Sequence, residues 1–361
     1  MAKIDAFFKL MNEQGASDLH LTSASPPVLR IRGELQRVKY KVFENEELKA
    51  MLYEITPESK IKAFEETGDV DFGYEIPSLA RYRVNFFMQK YGVGAVFREI
   101  PSQVMSAEHL GLPPVITKLA MLPRGLVLVT GPTGSGKSTT LAAIVDYANQ
   151  HRKDHIITIE DPIEFVHANK SCLIDHREVG THTKSFHAAL RGALREDPDI
   201  ILVGEMRDLE TISLAIEAAM TGHLVMATLH TINAAKTVDR VIEIFPAHQQ
   251  PQVRATLADA LRAVISQTMF KRIDTKGRCV AFEMLIATPA VRNLIREGKT
   301  YQLPSSMQTG KKYGMQTLDD AIMELFQAGK IDPDEAYNKC VDKARFKPFA
   351  KSAPIDFTEV S

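Results

Sequence analysis

The feature that most constrains this chain is a glycine-rich run of nine residues that matches the pattern G-x-x-x-x-G-K-[ST] at every fixed position. An apolar, β-branched segment at 125–130 precedes the run and predicts a buried parallel strand, and the segment at 140–148 predicts a helix. In this order the three parts form a phosphate-binding site, because loop N–H groups and the helix N-terminus both attract an anion. The run is Gly131, Pro132, Thr133, Gly134, Ser135, Gly136, Lys137, Ser138 and Thr139.

Each part of this loop predicts a contact with a bound nucleoside triphosphate. The backbone of all nine residues wraps the phosphates, Lys137 reaches the β- and γ-phosphates, and the Ser138 hydroxyl takes one position on Mg²⁺. The alternative is a glycine-rich turn without a ligand. The four fixed positions and the flanking strand and helix favour the nucleotide site, so we expect ATP and Mg²⁺ as ligands.

Composition excludes several other classes of protein. The hydrophobic content of 45% is that of a globular chain, and no run of about 18 apolar residues predicts a membrane span. With 44 basic and 45 acidic residues the net charge is −1, so we expect no nucleic-acid partner. The three cysteines, Cys172, Cys279 and Cys340, lie far apart and form no C-x-x-C pair, which fits a reducing cytoplasm.

The chain divides by its pattern into two predicted domains. Residues 1–100 mix helical stretches, at 1–16 and 45–66, with alternating strands, and predict a smaller α+β domain on an antiparallel sheet. Residues 101–114 contain several prolines and predict a linker. Residues 115–361 alternate strands and helices, which predicts an α/β domain with a parallel sheet.

The second predicted domain changes character after Phe245. Up to that point the strands are expected at 125–130, 155–160, 199–204 and 224–230. Beyond it we predict a mainly helical part interrupted by a single strand at 278–285. Its helices are expected at 251–270, 289–298, 317–329 and 333–344.

Two acidic clusters follow strands of the predicted parallel sheet. Glu160, Asp161 and Glu164 lie within five residues, where carboxylates can bind Mg²⁺ through water and orient an attacking water molecule. The alternative is an acidic turn that caps a strand. Glu205 ends a second apolar strand and is followed by Arg207, which is the Walker-B pattern, although Gly204 stands at the usual aspartate position. Whether Glu164 or Glu205 activates the water, and which holds the metal, stays open.

Two histidines flank the strand predicted at 224–230. A histidine at a strand terminus that faces a γ-phosphate can report the loss of that phosphate through a hydrogen bond. His223 and His230 are therefore candidates for this role. The alternative is that both are structural residues.

These motifs together resemble the secretion-superfamily ATPases, in the order and spacing of that family. The resemblance covers nearly the whole chain and implies a RecA-like P-loop NTPase domain joined to a smaller N-terminal α+β domain of PAS-like fold. It implies ATP hydrolysis, with Glu164, Glu205 and His230 as catalytic residues. Arg83 and Arg98 resemble nucleotide-contacting arginines of the family's N-terminal domain.

Within this superfamily, residues 290–299, Gln302 and the run 314–317 resemble the retraction ATPases of type IV pili. In the segment 290–299, Val291 and Ile295 are expected to pack while Arg292 and Arg296 stay outside. The resemblance implies a homohexamer in the cytoplasm at the inner-membrane face, which works with a pilus platform protein and other pilus motor ATPases.

Three other functions compete with this interpretation. A pilus-assembly or type II secretion ATPase belongs to the same superfamily, and the segment 290–299 argues against it. A DNA-translocating RecA-like protein requires a basic channel, which the balanced charge disfavours. A nucleotide-binding scaffold without hydrolysis is disfavoured because both acidic clusters are intact.

Overall fold

The structure, a computed structural model, describes residues 3–31, 33–77, 79–100 and 104–351. These residues divide into two compact units. The first contains the described residues up to Val104 together with Asp161–Val166, and the second contains Met105–Glu160 and the described residues from His167 onward. Of the predicted linker, residues 101–103 lie outside the described residues.

The first unit is built on an antiparallel sheet of six strands in the order β3-β2-β1-β6-β5-β4. The strands are β1 Asp18–Thr22, β2 Val28–Ile31, β3 Glu34–Arg37, β4 Asp69–Ile76, β5 Ala80–Gln89 and β6 Gly92–Ile100. The helices are α1 Asp5–Glu13, α2 Asn45–Tyr53 and α3 Glu58–Thr67.

The α+β pattern predicted for the first unit is confirmed, with one difference. Helix α1 buries Phe7, Phe8 and Met11, and the Phe8 ring stacks on Tyr82 of β5 at 4.3 Å between centroids. The stretch 45–66, predicted as one helical region, forms two helices separated before Pro57, because proline has no N–H to continue a helix.

The second unit is built on a sheet of seven strands in the order β13-β12-β7-β11-β10-β8-β9. All neighbours are parallel except β13, which pairs antiparallel with β12. The strands are β7 Gly125–Thr130, β8 His155–Glu160, β9 Leu173–Glu178, β10 Ile200–Val203, β11 Leu224–Leu229, β12 Leu261–Lys271 and β13 Arg278–Ile286.

Helices cover this sheet. They are α4 Pro114–Ala120, α5 Lys137–His151, α6 Phe186–Ala193, α7 Leu209–Met220, α8 Ala234–Glu243, α9 Gln250–Ala260, α10 Pro289–Arg296, α11 Leu303–Thr309, α12 Leu318–Gln327, α13 Pro333–Lys339 and α14 Lys343–Phe346. Three-residue 3₁₀ helices begin at Thr300, Lys311 and Lys347. Among the helices of the described residues, none is both long and apolar enough to cross a membrane.

Strand β7 shows why the sheet is buried on both faces. All six of its residues are buried. Leu126 and Leu128 join one apolar cluster, whereas Val127 and Val129 join another, as expected for successive side chains on opposite faces of a strand. This doubly covered, mainly parallel sheet confirms the predicted α/β class.

The prediction of one helix at 251–270 is wrong. Helix α9 ends at Ala260, and the chain continues as β12, which lies between β13 and β7 in the sheet. The residues at 263–265 are fully buried, and a short apolar run buried on all sides has no periodicity to separate strand from helix. Strand β9 was also missed, because it is an outermost strand of the sheet and its last four residues, 175–178, are all polar.

The parallel register fixes which residues share an edge of the sheet. We call the end at which β7, β8, β10, β11 and β12 finish the carboxyl edge, and the end at which they start the amino edge. Thr130 is level with both Leu229 of β11 and Ser266 of β12. The loops that follow these three strands therefore meet at the carboxyl edge.

A candidate nucleotide-binding site

The glycine-rich run forms a tight loop between β7 and α5 at the carboxyl edge. Gly131, Gly134 and Gly136 all have positive φ, at 142°, 77° and 89°. A Cβ at Gly131 would lie 2.3 Å from the carbonyl oxygen of Gln267, so glycine is required there by close approach as well as by φ. The loop ends at the N-terminus of α5, where the helix dipole favours an anion.

Lys137 folds back over this loop. Its Nζ donates to the carbonyl oxygens of Gly131, at 2.9 Å, and Pro132, at 3.2 Å. Ser138 and Thr139 lie beside it in the first turn of α5, half-buried. Lys137 is itself buried, so its charge faces the space enclosed by the loop. The phosphate contacts of Lys137 and the Mg²⁺ contact of Ser138 stay predictions.

Strand β12 supports the loop from below. The Gln267 side chain is 1% exposed, and its Nε2 donates to the Ser135 carbonyl oxygen at 2.6 Å. Because a helix was predicted over this position, Gln267 was not recognised as a site residue from the sequence. The available signal was the run Ser-Gln-Thr at the end of an apolar stretch, which repeats the polar ends of the other strands.

Hydroxyl groups connect three strand ends beneath the loop. Thr130 Oγ1 lies 2.7 Å from Ser266 Oγ, and Thr237 Oγ1 on α8 lies 3.4 Å from Thr130 Oγ1. Thr231 Oγ1 lies 2.7 Å from Thr237 Oγ1, and Thr231 directly follows His230. This hydroxyl chain, which sequence analysis did not identify, joins the end of β7 to the loop after β11.

Glu205, His230 and Arg207 form a polar network at the same edge. Glu205 accepts from Arg207 Nη2 at 2.7 Å, and its other oxygen lies 3.0 Å from His230 Nε2. Burial opposes the charge of Glu205, but Arg207 and His230 outweigh it and hold the pKa of this carboxyl below its usual range. Glu205 is therefore ionised at neutral pH.

His230 links this network to Lys137. Lys137 Nζ lies 3.4 Å from His230 Nδ1. Because an ammonium group only donates, Nδ1 accepts, and the ring proton lies on Nε2, from which it is donated to Glu205. The predicted site residues Lys137, His230, Glu205 and Arg207 are thus brought together in one continuous chain of contacts.

The departure at Gly204 has a steric reason. A Cβ there would lie 3.2 Å from the Ile159 carbonyl oxygen and 3.4 Å from Glu160 Cγ. The end of β8 therefore fills the space of the usual aspartate side chain, and Glu160 lies beside the end of β10. Sequence analysis left this position unexplained.

The donor set at this edge fits a hydrated magnesium ion. Within the described part of the chain, no group of three His, Cys, Asp or Glu side chains has the arrangement of a metal cage. Magnesium at phosphate sites is held by one or two protein oxygens together with phosphates and water. The Ser138 hydroxyl and the carboxylates of Glu160 and Glu205 are oxygen donors of that kind.

Four predicted site residues belong to the first unit. Asp161 and Glu164 lie in the segment Asp161–Val166, which begins with a cis Asp161–Pro162 peptide bond. Arg83 on β5 is the direct cross-strand neighbour of Arg98 on β6, which confirms that their strands pair.

The two arginines differ in their contacts within the first unit. Arg98 Nε donates to the buried carboxylate of Asp18 at 2.7 Å, and Arg30 lies 3.7 Å from the same carboxylate. Arg83 is exposed. Arg98 is exposed as well, so the two arginines differ in the contact with Asp18 and not in burial.

Three other predicted residues lie at the amino edge. His223 precedes β11, and its Nδ1 lies 3.0 Å from the Ala218 carbonyl oxygen. His230 comes seven residues after His223 along β11, so about 23 Å separate the two at the usual rise per residue. The structure therefore does not place both histidines beside the loop, because a strand delivers its two ends to opposite edges.

Arg292 and Arg296 lie on α10, and the prediction that both are exposed is correct only for Arg296. Arg296 is exposed and donates to Asp259. Arg292, expected outside, is half-buried, and its Nε has no hydrogen-bond partner among the described residues. Burial, followed by the charges of Arg292 and Arg124, lowers the pKa of the neighbouring Arg262. The amino edge thus carries a group of arginines close to one another.

A glycine loop at the end of a central parallel strand, with a lysine, an ionised glutamate and a histidine converging on it, defines a P-loop nucleotide-binding protein. The profile described as Type II/IV secretion system protein matches residues 3–330. The chain belongs to this family.

Relatives within the family are similar over most of their length. The type IV pilus retraction ATPase PilT of Pseudomonas aeruginosa is 54% identical over 327 residues, covering 91% of this chain and 95% of PilT. A twitching motility protein of Neisseria gonorrhoeae is 52% identical over 310 residues, covering 86% of this chain and 83% of that protein. These comparisons confirm the resemblance to pilus retraction ATPases.

A solved structure extends the likeness to the fold. The crystal structure of the pilus retraction motor PilT with bound ADP superposes with a TM-score of 0.88 at 43% identity, covering 96% of this chain and 99% of that chain. The predicted class, an α/β nucleotide-binding domain with a smaller N-terminal sheet domain, agrees with this structure.

Proposed function

We propose that this protein hydrolyses ATP and uses the energy to drive type IV pilus retraction. The observation that carries the proposal is the contact chain from Lys137 through His230 to Glu205 at the glycine loop. The 54% identity to PilT over most of both chains supports the retraction function. Twitching motility is the expected cellular outcome.

In this proposal the loop positions the triphosphate and the network at the carboxyl edge acts on its γ-phosphate. Water attacks the γ-phosphorus, the bond to the β–γ bridging oxygen breaks, and ADP and phosphate leave. Lys137 stabilises the charge on the transferred group, and Glu205 or Glu164 orients the water. His230, held by Glu205, responds to the γ-phosphate.

Magnesium and two arginines of the first unit complete the proposed site. Mg²⁺ bound by Ser138, with Glu160, Asp161 or Glu205 acting through water, neutralises phosphate charge. Arg83 and Arg98 are proposed to contact the nucleotide, and an arginine supplied to a γ-phosphate accelerates hydrolysis strongly. Both side chains are exposed, and of the two only Arg98 has a described ion pair, with Asp18.

The assembly is also proposed by similarity to the relatives. The protein acts as a homohexamer in the cytoplasm, at the inner-membrane face. It works with the pilus platform protein and with other pilus motor ATPases. A second candidate function, pilus assembly, has its support in the more distant match to the pilus-assembly ATPase PilB of Acinetobacter baylyi, which is 39% identical over 198 residues.

The experiment that tests the function is complementation of a bacterium that lacks its own retraction ATPase. Such cells are expected to carry excess pili and to lose surface motility. Expression of this chain should restore motility and a normal number of pili, whereas the Lys137→Ala variant should not. Restoration of pili to a strain that lacks its assembly ATPase would instead establish the second candidate function.

A further inference from the structure

Glu283 is a buried acid on β13 that no step of the proposed mechanism uses. Its residue is 5% exposed. One carboxylate oxygen accepts from the N–H of Ala234 at 2.6 Å, and the other accepts from the N–H of Leu318 at 3.4 Å. Ala234 and Leu318 are the first residues of α8 and α12, so one carboxylate binds the N-termini of two helices.

The first of these helices holds the loop that carries His230. Thr237 in the first turn of α8 donates to the Asn233 carbonyl oxygen at 2.7 Å and contacts the Thr231 hydroxyl at the same distance. Thr231 is bonded to His230 through the backbone. A shift of the α8 N-terminus therefore moves the loop that places His230 against Glu205 and Lys137.

The second helix leads to the C-terminal segment. Asp319, the next residue after Leu318, accepts from the N–H groups of Val341 and Asp342, both at 2.8 Å. Asp342 caps α14 by accepting from the Arg345 N–H. The carboxylates of Glu283, Asp319 and Asp342 thus join α8, α12 and α14 in sequence.

A cavity adjoins the residues that Glu283 binds. The cavity has a volume of about 870 Å³, and its walls include residues 132–135 and residues 338–341. Ile232, Asn233 and Leu318, which flank the hydrogen bonds of Glu283, also line it. The glycine loop, the start of α8, the start of α12 and the C-terminal segment therefore all border this cavity.

We propose that Glu283 is a positioning residue that couples the His230 loop to the C-terminal helices α12 and α14. When a nucleotide orders the loop, α8 moves with it, and α12 moves in turn because Glu283 binds the N-termini of both helices. The segment from Val341 to Phe346 then moves because Asp319 binds its first N–H groups. This coupling rests on the proposed nucleotide binding. It connects the presence of nucleotide at the glycine loop to the conformation of the C-terminal helices.

The test is hydrogen–deuterium exchange of the full chain with and without ADP, compared with the Glu283→Gln variant. Glutamine keeps the size of the side chain and one acceptor oxygen, but it loses the second acceptor. In the unmodified protein ADP should slow exchange about tenfold at residues 318–322 and 341–346, as well as at the glycine loop. In Glu283→Gln the slowing should persist at the glycine loop and disappear at both distant segments.

Asp319→Asn is the matched control, because it alters the next link and leaves Glu283 intact. In this variant ADP should still slow exchange at residues 318–322 but no longer at 341–346. Thermal unfolding of both variants should remain cooperative, which separates a lost coupling from a damaged fold. The rate of ATP hydrolysis is expected to fall in Glu283→Gln more than in Asp319→Asn, with little change in the affinity for ADP.

Two results would overturn the coupling. One is slowing at the distant segments that persists in Glu283→Gln, and the other is the absence of slowing there in the unmodified protein. If ADP fails to slow exchange even at the glycine loop, the nucleotide-binding proposal itself is wrong. The two failures are therefore distinguishable.

Discussion

The two edges of the parallel sheet contain similar residue types in different arrangements. At the carboxyl edge His230 lies between Lys137 and Glu205, and each of these groups contacts another polar group of the network. At the amino edge the described hydrogen bond of the His223 side chain is to a helix carbonyl oxygen, and Arg292 lies beside Arg262. Both edges carry histidine and positive charge.

The difference between the edges comes from backbone geometry. At the carboxyl edge the strands end in loops whose N–H groups and helix N-terminus attract an anion. At the amino edge α9 ends and presents carbonyl oxygens, and Arg262 donates to those of Asp259, Ala260 and Leu261. Chemistry on phosphate is therefore expected at the first edge, and contact with a protein partner is expected at the second.

The largest effect is expected from Lys137→Ala, which should abolish ATP hydrolysis while the fold is kept. Lys137 contacts the loop carbonyls and His230, so its removal takes charge from the phosphate site and not from the core. Phosphate release by the purified variant is the measurement. Lys153→Ala, at an exposed position after α5, is the control, and a Lys137 variant with the normal rate would refute the site.

Glu205→Ala should bind Mg-ATP and hydrolyse it about 10²–10³-fold more slowly, the usual cost of one well-placed electrostatic group. Because the pKa of Glu205 is lowered, the lost group is a full negative charge at neutral pH. Single-turnover kinetics and a nucleotide-binding assay separate the two steps. Glu164→Ala is measured alongside to decide which acid orients the water, and a Glu205 variant unable to bind nucleotide would contradict the role.

The variants Arg83→Lys and Arg98→Lys test whether the first unit contributes to ATP hydrolysis at the carboxyl edge. Lysine keeps the charge but not the two-pronged phosphate contact, so hydrolysis should fall roughly 10- to 100-fold if these arginines act on the nucleotide. Arg81→Lys is the control, since Arg81 lies 3.5 Å from Glu75 in the same sheet. Equal rates in all three variants would mean that the arginines of the first unit take no part in hydrolysis.

His230→Ala and His223→Ala compare the two edges directly. Loss of His230 removes the link between Glu205 and Lys137 and should slow hydrolysis about tenfold, the cost of roughly 1.4 kcal/mol. Loss of His223 removes one contact with a helix carbonyl and should leave the rate within about twofold. Steady-state kinetics measure both. A larger effect at His223 would mean that the amino edge also acts on hydrolysis.

The smallest effect on hydrolysis is expected from the amino edge itself. Arg292→Ala and Arg296→Ala should leave the ATPase rate unchanged, because both residues lie on α10, away from the glycine loop. They should nevertheless stop pilus retraction, if the segment 290–299 contacts the pilus machine. Arg191→Ala on α6 is the exposed control. Normal twitching motility of the Arg292 and Arg296 variants would make α10 an ordinary surface helix.

The glycine loop, the α/β class and the strands that precede Lys137 and Glu205 could be predicted from the sequence alone. These features are local, since a strand, a turn and a helix follow one another along the chain. The amphipathic helix α1 and the pairing of the strands of Arg83 and Arg98 were also predicted correctly. The glycines could be assigned because the φ angles of such a loop require them.

The rest of the candidate site depends on contacts between segments that are distant in the sequence. Strand β12, which was predicted as helix, places Gln267 under the loop although 132 residues separate it from Ser135. The strand direction of β11 placed His223 at the opposite edge from His230, and the burial of Glu283 at two helix N-termini is visible only once β13 is paired. A buried run has no polar face to give its periodicity, and contacts between distant segments are fixed by packing, so no local pattern could have predicted them.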